Sequence, residues 1–167
     1  MRLPADRVWR AVSVVLLSTG IAVAQQATVS PAKKCAEPQV IPDSKYQPGQ
    51  VWAYQTREGE ESSTITILRV ESLPKVGVIV HIRLDAIRLK NCSGGPSPTS
   101  IGHAPFAKDA LDRSVTKLVE LKRTLPAYEE GYNNWRQACG GVYTITVAEM
   151  LKADEMTFNS GMSCSSR

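Results

Sequence analysis

The spacing of apolar residues changes once along this chain, and that change limits the folds open to it. From Val51 to Leu89 apolar and β-branched residues recur at every second position, whereas beyond Ala107 they recur at every third or fourth. Between the two lies Cys92 to Ser100, whose two glycines and two prolines disfavour regular structure. Strands grouped first and helices grouped later predict an α+β domain: an antiparallel sheet of about four to five strands, built from meanders and hairpins and covered on one side by two to three helices.

The strand half reads in three pieces. Val51 to Arg57 places Trp52, Tyr54 and Thr56 on one face, and Glu58-Gly59-Glu60-Glu61 turns the chain. Thr64 to Glu71 alternates Ile65 and Ile67 against threonines until Leu73-Pro74-Lys75-Val76-Gly77 breaks it. In Gly77 to Lys90 the residues Val78, Val80, Ile82 and Leu84 share one parity, while Ile87 and Leu89 take the other. A two-residue turn at Asp85-Ala86 reconciles them as a hairpin pairing Leu84 with Ile87, and a β-bulge at the same place is the alternative.

In the second half, Leu111, Val115, Leu118 and Val119 recur at helical spacing, which predicts a helix over Ala107 to Arg123. A second helix is expected after Thr124 as cap, with Pro126 in its first turn, running to Cys139 and stopped by Gly140-Gly141. Val142 to Val147 reads as a returning strand. Thr146 and Glu149 stand at capping-box spacing for a third helix through Phe158, and residues 159–167 form a polar tail.

The first 24 residues read as a secretory signal peptide. Arg2, Arg7 and Arg10 form a basic flank, the fourteen residues from Ala11 to Ala24 are mostly apolar, and Ala22-Val23-Ala24 is a small-x-small cleavage site. That run is shorter than the roughly twenty residues a membrane-spanning helix needs, so no stable anchor is expected after cleavage. Cutting after Ala24 removes three basic residues and one acid, and the formal charge of +4 falls to +2. A near-neutral, exported protein with its Lys and Arg scattered among acids has no footprint for nucleic acid. Residues 25–48 carry four prolines and read as an extended lead-in, and residues 49–158 as a single domain. The expected location is the periplasm or the secreted space, with a bacterial source inferred from the cleavage site.

Four cysteines, Cys35, Cys92, Cys139 and Cys164, are an even number in a chain bound for an oxidising compartment, so two disulfides are expected. Three pairings are open; the favoured one joins the terminal Cys35 and Cys164 and leaves Cys92 with Cys139. No CxxC pair occurs, and neither a metal site nor a cofactor is predicted.

Candidate chemistry rests on few residues. Of the two histidines, His81 is expected on the solvated face of the hairpin, beside Arg83 and opposite Lys90. His103 is expected in a loop ahead of the first helix, where a general base could sit. No nucleophile elbow or HExxH accompanies it. Tyr128, Tyr132 and Trp135 fall on one face of the second helix with Arg136 beside them; such a stripe anchors a protein partner or a glycan, or else packs as core. Gly131 inside this helix marks a close approach of another group. Together these features predict a non-catalytic binding protein of the cell envelope or secreted space, docking on or inhibiting another exported protein, with an unidentified protein or an envelope glycan as partner. The alternative is a small exported hydrolase using His103.

Overall fold

The computed structural model describes residues 35–162 and Cys164; the predicted signal peptide, residues 25–34 of the lead-in, and residues 163 and 165–167 lie outside the described residues. The described chain is an α+β fold around one antiparallel sheet. Its strands are β1 (Gln39–Val40), β2 (Gln50–Tyr54), β3 (Thr64–Leu73), β4 (Gly77–Asp85), β5 (Ser100–Ala107) and β6 (Val115–Leu121). They lie in the order β5-β4-β3-β2-β6, with β1 pairing β3 off this path. Helices α1 (Lys108–Asp112), α2 (Glu129–Gln137) and α3 (Val147–Phe158) complete the fold.

The register of β3 against β4 builds the core. Ile65 opposes Leu84, Ile67 opposes Ile82 and Val70 opposes Val80, so one face of the sheet is a continuous apolar surface. Phe106 of β5, Leu111 of α1, and Val147, Met150 and Leu151 of α3 close over it, all fully buried. Each such side chain contributes roughly 1.5–3 kcal/mol by leaving water. Helix α3 starts as expected: Thr146 accepts a hydrogen bond from the Glu149 amide, and the Glu149 carboxylate accepts from the Thr146 amide at 2.8 Å. Within the segment read as a lead-in, Gln39–Val40 pairs with β3, and Tyr46 is fully buried with its hydroxyl donating to Asp112.

Two bulges control which side chains reach the opposite face. Leu68 is an extra residue of β3 between the pairs Ile67–Ile82 and Arg69–His81. In β5, Gly102 and His103 together oppose Arg83, between the pairs Ile82–Ala104 and Leu84–Ile101. The first bulge moves Arg69 and Glu71 off the apolar face, and the second aims His103 to the side of His81.

Several expectations are corrected. The hairpin at Asp85-Ala86 does not form: β4 pairs with β5, and Ala86, at φ 57°, only turns the chain. Ile87 and Leu89 are buried as their alternation requires, but their amides donate to the Thr99 and Pro98 carbonyls. Alternation specifies burial and leaves the partner open. The long helix over Ala107 to Arg123 is replaced by the short α1, a turn at Ser114 and the strand β6, in which Leu118, Val119 and Leu121 are exposed. Their helical spacing therefore reflects no buried stripe, and β-branched Val115, Thr116 and Val119 suit a strand. The returning strand at Val142 to Val147 shrinks to a single parallel bridge between Tyr143 and Phe106. Helix α2 begins after Tyr128 rather than at Thr124. Helices also cover both faces, because α1 and α3 pack on the apolar side and α2 on the other.

All four cysteines are bonded, but the favoured pairing is wrong: Cys35 joins Cys139, and Cys92 joins Cys164. Cys139 follows α2, and that helix lies near Glu37, which pairs with Arg136; the N-terminal segment is thus held at α2 rather than at the tail. Among the described residues no helix is long and apolar enough to cross a membrane.

Candidate functional site

The second face of the sheet carries a buried chain of ionisable groups beneath α2. Glu71 of β3 and His81 of β4 are both fully buried. Glu71 accepts from Arg69 Nε and from the Tyr132 hydroxyl, at 2.9 Å on Oε1 and 3.1 Å on Oε2. His81 Nε2 lies 3.2 Å from Glu71 Oε2, in ion-pair range but off the line of a hydrogen bond, and has no other hydrogen-bond partner among the described residues. On the far side of the ring, His81 Nδ1 and His103 Nε2 are 2.9 Å apart. The ring centroids are 5.1 Å apart with planes 18° from parallel, which places the two imidazoles edge to edge along this bond.

Helix α2 closes over the chain with its aromatic stripe. The Tyr132 ring meets His81 edge-on at 5.2 Å, and Trp135 meets it at 4.8 Å. Arg69 lies over the Tyr132 ring, 5.1 Å from its centroid. Two glycines make this packing feasible. A Cβ on Gly131 would stand 2.8 Å from His103 Cβ, and one on Gly140 would stand 2.2 Å from Trp135 Cδ1. Trp135 Nε1 donates to the Gly141 carbonyl at 2.8 Å, fixing the indole over His81.

Burial decides the protonation of both histidines. It pushes His81 down to about 4, with the neighbouring His103 adding to the effect and Glu71 opposing it. Burial also lowers His103, again against Glu71. Both rings are neutral at pH 7. The Tyr132 hydroxyl is pushed above its ordinary value, first by burial and then by its bond to Glu71, so it stays a donor.

The site brings together the candidates that were separate in the sequence. His103 lies in β5, not in a loop, and touches both Tyr132 and Trp135. Tyr128 is half-buried and Tyr132 buried; Arg136 extends outward to Glu37. His81 is the correction: its cross-strand neighbours are Arg69 and Pro105 rather than Lys90, and it is sealed from water. Glu71 and Arg69 were not singled out, because parity counted from Ile65 and Ile67 assigns them to the apolar face and nothing in the sequence marks the bulge at Leu68.

His103 reaches solvent through a pocket of about 540 Å³ bounded by Gly102, Tyr128, Glu129, Glu130, Gly131 and Asn134. Its Nδ1 makes no hydrogen bond among the described residues. Among the described residues no serine, threonine, cysteine or lysine lines this pocket. Among the described residues no group of three or more His, Cys, Asp or Glu side chains is placed to hold a metal ion. No family model matches the chain, and no curated protein or solved structure matches it either.

Proposed function

We propose that this is an exported, non-catalytic binding protein of the bacterial cell envelope or secreted space, which docks on or inhibits another exported protein through the pocket at His103. The observation that carries the reading is the position of His103: one ring nitrogen is held by His81, the other has no partner among the described residues, and Tyr128 and Asn134 stand beside it. Tyrosine offers a partner contact area at little entropic cost, and asparagine supplies both donors and acceptors. Two disulfides fit export.

A small exported hydrolase is the second reading, favoured by the order carboxylate, histidine, histidine in a chain ending at a pocket. In that role His103 would take a proton from a water molecule, since no serine, threonine, cysteine or lysine among the described residues lines the pocket.

Panning a random peptide library and a glycan array against the oxidised mature protein near pH 7.5 tests the binding reading. A selected ligand should lose its affinity for His103→Ala and Tyr128→Ala. Ligands indifferent to both substitutions, or no selective ligand at all, would overturn it. Turnover of an envelope ester or glycoside that disappears in His103→Ala would favour the hydrolase.

A further inference from the structure

The hydrogen-bonding sense of the pocket follows from a proton count along the buried chain. A neutral imidazole carries one N–H, and the 2.9 Å contact between His81 Nδ1 and His103 Nε2 uses one hydrogen. If His81 Nδ1 donated it, the lone pair of His81 Nε2 would face Glu71 Oε2 at 3.2 Å, and both are fully buried. Glu71 already accepts from Arg69 and Tyr132, so it faces the ring as an acceptor. The opposite arrangement removes this repulsion. His81 carries its hydrogen on Nε2, towards Glu71, and accepts at Nδ1 from His103 Nε2–H. His103 Nδ1 is then left with a lone pair.

Addition of one proton has a single outcome at the pocket. If the charge rests on His103, its Nδ1 gains the hydrogen directly. If it rests on His81, both His81 nitrogens carry hydrogen, His103 Nε2 becomes the acceptor, and the one hydrogen of His103 moves to Nδ1. Either way Nδ1 becomes a donor, whichever ring holds the charge.

We propose that the Glu71–His81–His103 chain sets the polarity of the pocket: at neutral pH it presents His103 Nδ1 as an acceptor that selects a hydroxyl or amino group on the ligand, and uptake of one proton turns that nitrogen into a donor and releases the ligand. The clause about the ligand rests on the pocket being a binding site; the tautomer does not. The groups facing the two rings are Arg69 and Glu71 from β3, Arg83 from β4, and Tyr128, Glu129, Glu130, Tyr132 and Trp135 from α2 or its first turn. Arg83 is paired with Asp85 and Arg69 with Glu71, and Arg69 opposes charge on His81.

Glu71→Gln should reverse the chain. The amide oxygen belongs where Arg69 Nε and the Tyr132 hydroxyl both donate, at Oε1, which leaves the amide NH2 at Oε2, facing the lone pair of His81 Nε2. His81 then donates from Nδ1, and His103 carries its hydrogen on Nδ1.

Long-range 1H–15N correlation spectra of the oxidised protein labelled at histidine decide the matter without a ligand. Near pH 7.5 both rings should show hydrogen on Nε2, and in Glu71→Gln His103 should show it on Nδ1. A His103 Nδ1–H in the unmodified protein near pH 7.5 would overturn the proposal, even if the variant fails to fold. For a peptide or glycan selected at that pH, affinity should fall as pH drops towards 4, by about tenfold once the pair has taken up its proton, an inverted hydrogen bond being worth about 1.4 kcal/mol. A ligand lost in His103→Ala but unaffected by acid would retain the binding site and reject the polarity switch.

Discussion

On the face of the sheet under α1 and α3, Ile67, Val70, Val80, Ile82 and Leu84 meet Leu111, Met150 and Leu151 through apolar contact, with Arg57 pairing Glu60 and Glu155 beside α3. On the face under α2, Arg69, Glu71, His81 and His103 meet Tyr132 and Trp135 through hydrogen bonds, a close Glu71–His81 contact and ring contacts. The first face tolerates exchange among apolar residues of similar volume. The second does not, because removing one member leaves its neighbour buried and unpaired. Burying a carboxylate and an imidazole is an expensive way to attach a helix. An apolar stripe would hold α2 as well, so the difference points to the α2 face as the one shaped for recognition, and to the α3 face as the one that holds the fold.

The largest expected effect separates the two faces by their crosslinks. Cys35–Cys139 holds the end of α2 and Cys92–Cys164 lies beyond the end of α3, closing chain separations of 104 and 72 residues. On chain entropy, replacing either pair with serine should cost about 4 to 5 kcal/mol, read by denaturant unfolding. Hydrogen exchange then sharpens the contrast: without Cys35–Cys139, α2 should lose protection while α3 keeps it. Equal loss in both helices would show that the two faces are one cooperative layer.

Next in size is Ile82→Ala, with an expected loss of about 2 to 5 kcal/mol from the cavity it leaves. The increment should be the same near pH 7.5 and pH 5, since Ile82 belongs to the apolar core cluster. An increment that depends strongly on pH would mean that the faces are coupled through β4.

The α2 face should depend on pH in the unmodified protein. His81 is held down to about 4 from an ordinary 6.5, so the unfolded chain binds the proton first as pH falls. The stability this contributes is complete above about pH 6.5 and is lost progressively as pH falls towards 4, by up to about 3 kcal/mol. Unfolding curves between pH 7.5 and 4.5 check the direction, and stability that rises on acidification would contradict it. The smallest effect is Trp135→Ala. The indole is only partly buried, so about 2 kcal/mol is expected rather than the 3 to 5 of an enclosed aromatic. An unchanged melting temperature would mean that α2 presents this ring to a partner instead of to His81.

What could be read in advance follows from which features are local. The alternation of β3, the break at Leu73 to Gly77, the capping box at Thr146 and Glu149, and the close approach at Gly131 are each written in a few adjacent residues. The site is not local. It depends on extra residues in β3 and β5 that change the parity of Glu71 and His103, and a bulge is set by cross-strand pairing. The disulfide partners failed for the same reason: Cys35 meets Cys139 because of where α2 lies, which four spacings do not encode. His81 was misplaced with its supposed hairpin, since burial of Ile87 and Leu89 by the 98–99 segment satisfies the same alternation.

His81 is a neutral, sealed link between Glu71 and His103 beneath α2, and the decisive measurement is the titration of its imidazole Cε1 proton by NMR. His81 should keep its neutral shift from pH 7.5 to about pH 5 and reach its midpoint only at about 4. Titration of His81 near its ordinary 6.5 would contradict it, because the ring would then be open to water and unable to hold His103.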